Sequence, residues 1–200
     1  MAKLGRPLVM SAEQRRTEIF SIAEQLFGEK GFENVTMSEI ATAAGMSKKT
    51  LYVYFSDKRE LLISLVESSY IWTEDAFDTN SADKVLALQN QLKKIAEHVL
   101  SERHIKLCRL AIAERVGVDG ISDTFYEKGI AKSRNHLIHA VSYISSAQFV
   151  LNLNADIIAD MLFGATISKP FVDLLFLNRK IDMQQVNTTI EQSIQALFKM

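Results

Sequence analysis

Residues 36–62 read TMSEIATAAGMSKKTLYVYFSDKRELL, and this stretch decides the fold. Thr36 and Glu39 have the spacing of a capping box, in which each side chain satisfies a backbone amide in the first turn of a helix. Gly45 follows this helix and suits a short turn. Ser47 can then cap a second helix, because a serine oxygen accepts hydrogen bonds from free backbone amides. The stretch therefore predicts two short helices joined by a tight turn.

The apolar residues of this stretch predict how the two helices pack. Ala41 is small where the helices would cross closely, and Ile40 lies beside it as an apolar anchor. Leu51 and Phe55 are four residues apart, so they share one helix face, which we expect to point into the core. The exposed start of the second helix carries polar and basic side chains, namely Ser47, Lys48, Lys49 and Thr50. This arrangement is typical of a helix-turn-helix, whose second helix enters the major groove of DNA.

Helical patterns continue on both sides of this motif. Ser11 and Gln14 predict a capped helix that ends near Gly31, and Asp57 with Glu60 predicts a fourth helix. No alternating strand pattern of useful length occurs, so the chain is predicted to be all-α with about nine helices. Pro170 is expected to kink or break one of them. The later helices are predicted at residues 81–100, 103–116, 122–144, 156–177 and 182–199.

Composition narrows the class of protein. The chain has 200 residues, of which 48% are hydrophobic and 24% are charged, with a net charge of −1. Residues 1–16 and 45–59 each hold four basic residues and one acidic residue. Such local clusters can face DNA phosphates, although small charge runs are more often solvated surface. The single cysteine, Cys108, fits a reducing compartment, and no apolar run is long enough to span a bilayer. We therefore expect a cytoplasmic protein with no membrane partner.

The motif and the segment before it resemble a known family. Residues 36–62, preceded by Ala23-x-x-Leu26-Phe27-x-x-x-Gly31-Phe32, resemble the DNA-binding region of the tetracycline-repressor (TetR) family. The resemblance is specific over residues 11–66. Over residues 80–200 it depends only on size, helical content and helix order, so it names no ligand.

The resemblance implies a division into two domains. An N-terminal three-helix helix-turn-helix domain would cover residues 1–56, with an arm over residues 1–10. A C-terminal helical ligand-binding and dimerisation domain would cover residues 57–200. Lys3-Leu4-Gly5-Arg6-Pro7 in the arm is similar to arms that place an arginine in a minor groove, and a disordered tail is the alternative.

The resemblance also implies which residues contact double-stranded DNA. Lysine can donate to guanine and a threonine methyl can meet a thymine methyl, whereas hydroxyls and free amides at helix starts suit phosphates. Whether Lys48 and Lys49 read bases or only bind phosphates stays open at this point. The candidate DNA-binding residues are Thr36, Ser38, Ser47, Lys48, Lys49, Thr50, Tyr52, Tyr54 and Lys58.

A single motif reads few base pairs, so we expect a homodimer on a palindromic operator. The last two helices, 156–177 and 182–199, could pair across a two-fold axis as a four-helix bundle. The alternative is that 156–177 is simply a central core helix. The candidate interface residues are Met161, Ile167, Phe171, Leu174, Leu175, Val186, Ile190, Ile194 and Leu197.

Residues 61–150 are expected to surround a cavity for an unknown small-molecule effector. The fourth helix would connect this cavity to the DNA-reading helix, so that ligand binding weakens DNA binding. For each candidate lining residue, ordinary core packing is the alternative. No cofactor or metal is expected, since no Cys or Glu near His136 and His139 completes a metal site. The candidate lining residues are Trp72, Phe77, His98, Cys108, Phe125, Tyr126, His136 and Phe171.

Three functions remain open from the sequence. The leading hypothesis is a dimeric, sequence-specific transcriptional regulator, a repressor released from a palindromic operator by a small, largely apolar ligand. The alternative is a helical dimer that acts mainly through protein partners, with DNA binding auxiliary. A helical enzyme is the third, but the sequence has neither a phosphate-binding glycine loop nor a nucleophile elbow, so we expect no enzyme.

Overall fold

The computed structural model describes residues 10–70, 77–113, 123, 125–177 and 179–199. Within these ranges the backbone is helical, apart from turns, loops and one isolated bridge between Phe149 and Phe198. The prediction of an all-α fold is therefore confirmed. The chain divides into two compact units, an N-terminal unit of residues 1–66 and a C-terminal unit of residues 67–200. The sequence-based domain boundary at residue 56 stays a prediction.

The N-terminal unit is built from helices whose starts were readable in the sequence. Ser11 and Gln14 form the expected capping box, and in the fourth helix Glu60 N–H donates to Asp57 Oδ1 at 2.8 Å. The fourth helix continues past residue 66 into the C-terminal unit. The helices are α1 (Ala12–Lys30), α2 (Met37–Ala43), α3 (Lys48–Tyr54) and α4 (Lys58–Ser69).

The described part of the C-terminal unit contains five further helices, which agrees with the expected total of about nine. Three are regular: α5 (Lys84–Val99), α6 (Glu102–Ala113) and α9 (Met183–Leu197). Helix α7 begins with a π-helical turn, Tyr126–Ala131, and continues as Lys132–Ser142. Helix α8 consists of Ala155–Phe163, a π-helical stretch Gly164–Ser168 and Lys169–Phe176.

Of the kink or break expected at Pro170, the break does not occur, since α8 continues through this residue. Proline lacks an amide hydrogen, and its ring crowds the carbonyl four residues earlier. The helix widens to the π form over Gly164–Ser168, directly before Pro170, so the regular hydrogen-bond pattern changes where the proline disturbs it. The cost of the proline is thus absorbed by a local change of helix type.

The apolar stripe of α9 packs into the core of its own unit. Helix α9 lies against α5 and α8, and these contacts bury the stripe within one chain. Met161 is exposed, whereas Phe171, Leu174 and Leu175 are half-buried. The candidate interface residues that are buried within the unit are Ile167, Val186, Ile190, Ile194 and Leu197. The predicted interface stays a prediction.

Candidate nucleic-acid interface and ligand cavity

Side chains at the starts of α2 and α3 fix the two helices of the motif. Thr36 Oγ1 accepts from Glu39 N–H at 3.2 Å, and Glu39 Oε2 accepts from Thr36 N–H at 2.9 Å. This bond from Thr36, with Lys30 at 3.1 Å, lowers the pKa of the Glu39 carboxyl. Ser47 Oγ accepts from Thr50 N–H at 3.1 Å and lies 2.8 Å from the Thr50 hydroxyl. Both helix starts predicted from the sequence are confirmed.

The turn between α2 and α3 depends on Gly45. Its φ of 61° lies in the left-handed region that glycine adopts without a steric penalty. Met46 N–H then donates to Ala41 O at 2.9 Å, which closes the turn. Ala41 is buried, as expected for a small residue at a close helix crossing.

The inward face of α3 is anchored by two side chains. Leu51 is 0% exposed and Phe55 is 1% exposed, which confirms the predicted core face. The Phe55 ring lies 5.5 Å from the Phe20 ring, and the Arg16 guanidinium lies 4.5 Å from the Phe55 ring centre. Arg16 also donates to Tyr54 O at 3.3 Å. Helix α3 is therefore held firmly on one side, and its opposite side is presented to solvent.

The outer face of α3 brings together most of the predicted DNA-contacting residues. Lys48 Nζ lies 5.8 Å from the centre of the Tyr52 ring, and that tyrosine is 44% exposed. Val53 lies beside them and is 78% exposed, although sequence reasoning did not single it out. Its position off the Leu51–Phe55 face was the available signal. The exposed residues of this face are Ser47, Lys48, Lys49, Thr50, Tyr52 and Val53.

The remaining candidates differ in how accessible they are. Thr36 and Ser38 are exposed at the start of α2, whereas Tyr54 is half-buried. Lys58 Nζ donates to Phe32 O at 2.6 Å and lies 4.2 Å from the Phe32 ring centre. This amine joins the start of α4 to the loop after α1, and a DNA phosphate would compete with that bond. The nine predicted DNA contacts stay predictions.

The C-terminal unit contains a cavity of about 250 Å³. His98, Phe125 and Phe171 line it, as the sequence analysis anticipated. Other candidate lining residues lie away from the cavity. Phe77, for example, stacks on Tyr143 with ring centres 5.5 Å apart. Trp72 lies outside the described residues. The candidates that do not line the cavity are Phe77, Cys108, Tyr126 and His136.

Two aromatic residues that the sequence analysis missed form one end of the cavity. The Tyr70 ring lies 5.6 Å from both the His104 and the Phe125 rings, and His98 lies 5.0 Å from His104. Tyr70 follows the end of α4, and His104 is in the first turn of α6. No spacing in the sequence marks this pair, because the residues come from the ends of different helices.

Burial keeps this end of the cavity uncharged near neutral pH. It lowers the pKa of His104 to about 4, and neighbouring His98 adds to the effect. Burial also lowers the pKa of His98 and raises the pKa of Tyr70. The pKa of Cys108 rises to about 12 for the same reason. These groups therefore act as neutral hydrogen-bonding groups at pH 7.

The His104 pKa makes the stability of the fold depend on pH. The folded imidazole titrates near 4 and the unfolded one near 6.5, so the unfolded chain binds the extra proton between these values. The free energy of unfolding is expected to be maintained above pH 6.5 and to fall by at most about 3 kcal/mol as pH falls towards 4. In the His104→Phe variant, the free energy of unfolding measured by urea denaturation should depend less on pH across this range. The exposed His139→Gln variant is the control, and an unchanged slope in His104→Phe would contradict the prediction.

A paired charge lies at the side of the cavity. Arg134 donates to Asp160 through two nitrogens, at 2.7 and 2.8 Å, and this pair joins α7 to α8. The bonds to Arg134 lower the pKa of Asp160. Both side chains are largely exposed, so the pair contributes little to stability and mainly neutralises charge beside the cavity.

Two properties of the described residues bear on other kinds of site. No described helix is both long and apolar enough to cross a membrane. No group of three or more His, Cys, Asp or Glu side chains in the described ranges could hold a metal ion.

The geometry of α2 and α3 defines a helix-turn-helix DNA-binding domain. Residues 19–65 match the family model for bacterial regulatory proteins of the tetR family. These residues include the whole helix-turn-helix, so the DNA-binding region of the chain is similar to that of this family. An HTH-type transcriptional regulator of Staphylococcus aureus is 39% identical over 56 residues, which are 28% of this chain and 30% of that protein. The match thus spans less than a third of the length of this relative.

Solved structures extend the likeness to both units. A Mesorhizobium loti protein assigned to the TetR family has a TM-score of 0.75 at 23% identity, over 92% of this chain and 95% of that one. The flavonoid-responsive regulator FrrA has a TM-score of 0.72 at 21% identity, with the same coverage. NalD of Pseudomonas aeruginosa, a secondary repressor of the MexAB-OprM multidrug efflux pump, has a TM-score of 0.68 at 20% identity, over 94% and 99%. At these identities the likeness establishes the fold. The matched names are those of regulators, in agreement with the expectation that the chain is not an enzyme.

Proposed function

We propose that the chain is a homodimeric transcriptional repressor that binds a palindromic DNA operator in the cytoplasm and is released by a small effector. The observation that carries this proposal is the outer face of α3. It presents two lysines and a tyrosine on a helix whose other side is held by Leu51 and Phe55. A rigid helix with a polar, basic outer face fits the major groove, where base edges are accessible.

Removing the two lysines tests DNA recognition. Lys48→Ala/Lys49→Ala is expected to weaken binding to the DNA upstream of the gene at least tenfold. It should also reduce the salt dependence of log K by about one unit for each phosphate that is no longer neutralised by a lysine. Fluorescence anisotropy with operator and scrambled duplexes at several salt concentrations measures both effects.

The control for this experiment removes two lysines elsewhere. Lys94→Ala/Lys132→Ala changes the net charge equally but alters exposed residues of α5 and α7 in the C-terminal unit. It should leave operator affinity within about twofold, since only nearby charges contact phosphate. Equal binding of the wild type to operator and scrambled DNA at physiological salt would refute the proposal.

A second copy of the chain is proposed to pack on the outer face of α8. Ile157, Met161, Val172 and Phe176 are exposed there, and the members of each pair, Ile157 with Met161 and Val172 with Phe176, are four residues apart and so share a helix side. Phe176 is 75% exposed, which is unusual for a large aromatic side chain. A dimer through this face would provide two α3 helices for half-sites roughly 34–36 Å apart.

A charged side chain placed on this outer face of α8 tests the proposed dimer. Phe176→Glu is expected to raise the dimer dissociation constant at least a hundredfold, because a buried unpaired carboxylate is costly. Sedimentation equilibrium measures it. Leu151→Glu is the matched control, since Leu151 is 48% exposed outside α8 and should leave the dissociation constant unchanged. A Phe176→Glu protein that dimerises like the wild type would eliminate this face as the interface.

Effector release is proposed to act through α4. Lys58 attaches its first turn to Phe32, and Tyr70, which lines the cavity, directly follows its last residue Ser69. A ligand that moves Tyr70 would therefore displace the end of α4, and the other end of this helix belongs to the N-terminal unit. FrrA, described as flavonoid-responsive, and NalD, described as a repressor, support by analogy a repressor with a small effector.

A further inference from the structure

We infer that the effector is a small neutral aromatic molecule of one or two rings that carries a hydroxyl group, and that this hydroxyl binds between Tyr70 and His104. This inference rests on the proposed effector-release function and adds the chemical class of the ligand. It follows from the size of the cavity, its walls, its polar end and its charge.

The size of the cavity limits the ligand to a compact molecule. Its volume is about 250 Å³, whereas an apolar cavity of about 150 Å³ holds one benzene ring in another protein. One or two fused rings with a small substituent therefore fit. The part of a long acyl chain that exceeds this volume would remain outside the cavity.

The walls favour a flat aromatic ligand. Phe125, Phe163 and Phe171 line the cavity together with aliphatic side chains. Aromatic rings pack against one another in offset or edge-to-face arrangements that contribute beyond simple burial. The tyrosine and histidine rings at one end already contact each other edge-to-face, with 5.6 Å between the Tyr70 and His104 centres.

The polar end contains two buried groups without a partner in the described part of the chain. Tyr70 Oη and His104 Nδ1 are both inaccessible to solvent, and neither forms a hydrogen bond to a described residue. A buried polar atom without a partner costs free energy, so such atoms commonly mark a place for a ligand or water. Both atoms are closed off from the cavity, so a ligand hydroxyl reaches them only by displacing the Tyr70 ring. Because a hydroxyl both donates and accepts, it then satisfies Tyr70 and either neutral tautomer of His104.

The backbone is shaped to hold the tyrosine hydroxyl at this end. A Cβ added at Gly129, itself a lining residue, would lie 2.5 Å from Tyr70 Oη. The glycine thus provides the space in which the hydroxyl is held. Ser133 Oγ donates to Gly129 O at 2.6 Å, which fixes the backbone beneath the ring.

The charge of the cavity favours a neutral ligand. Of the described lining side chains, Arg134 and Asp160 carry charge, and they bind each other through two hydrogen bonds. Burial keeps Tyr70 and His104 neutral at pH 7. An ionised ligand would lose its hydration without gaining an opposite charge.

Isothermal titration of the full chain with four probes tests the inference: 2-naphthol, naphthalene, 2-naphthoate and decanoate. We expect 2-naphthol to bind at least tenfold more tightly than each of the other three. Tyr70→Phe should weaken 2-naphthol binding three- to tenfold and leave naphthalene binding within twofold. His104→Phe should weaken 2-naphthol similarly, which provides a second variant if one of them fails to fold.

Tyr126→Phe is the matched control, since Tyr126 is exposed and does not line the cavity. It should bind all four probes like the wild type. Binding of none of the probes, tighter binding of 2-naphthoate or decanoate, or unchanged 2-naphthol affinity in the folded cavity variants would overturn the inference. These measurements contain no DNA, so failure of operator binding would refute the proposed function without affecting them.

Discussion

Phe55→Ala is expected to lower the free energy of unfolding of the N-terminal unit by about 3–5 kcal/mol, as full truncation of a buried phenylalanine does. Phe55 is 1% exposed, and its ring contacts both Phe20 and the guanidinium of Arg16. Alanine would leave a cavity beneath α3 and remove the surface over which Arg16 lies. The outer face of α3 would lose its fixed position, so operator affinity should fall together with stability.

Val53→Ala provides the control on the same helix. Val53 is 78% exposed, so its truncation should change the free energy of unfolding by less than about 0.5 kcal/mol. Urea denaturation followed by circular dichroism, with operator binding measured in parallel, separates the two variants. Similar stabilities of Phe55→Ala and Val53→Ala would mean that α3 is not anchored by the buried phenylalanine.

Gly129→Ala is expected to destabilise the C-terminal unit by about 1–3 kcal/mol, the usual cost of overpacking a buried position. Gly129 is buried in the π-helical turn of α7, and the new methyl group would lie 2.5 Å from Tyr70 Oη. The tyrosine would have to leave its position, because Ser133 holds the backbone beneath it. The same variant should reduce binding of a cavity ligand.

Gly164→Ala is the matched control, since Gly164 also lines the cavity and is helical. Apart from its chain neighbours and the backbone of its own helix, no atom lies within 4 Å of its added Cβ. It should raise the free energy of unfolding by about 0.5–1 kcal/mol, because alanine restricts the unfolded chain more than glycine does. Thermal denaturation of the two variants tests the difference. If Gly129→Ala were as stable as Gly164→Ala, the close approach of Tyr70 to Gly129 would be refuted.

The features that the sequence predicted correctly are local ones. Ser11 with Gln14 and Thr36 with Glu39 act across three residues, so the pattern alone places both helix starts. The inward face of α3 was equally readable, because Leu51 and Phe55 are one turn apart. Such contacts need no knowledge of distant residues.

The sequence by itself determined that this chain is helical and that it contains a helix-turn-helix, because capping and helix periodicity depend on neighbours within about one turn. Only the tertiary structure decided what the apolar stripe of α9 faces, since a stripe suits its own core and a partner equally well. Ile190 and Ile194, which lie on this stripe, are buried in the core of their own unit. The tertiary structure also decided the cavity, because Tyr70 and His104 meet only when the ends of α4 and α6 are packed together. The periodicity of the sequence predicts on which face of its helix a side chain lies. A site, in contrast, depends on which other helix packs against that face.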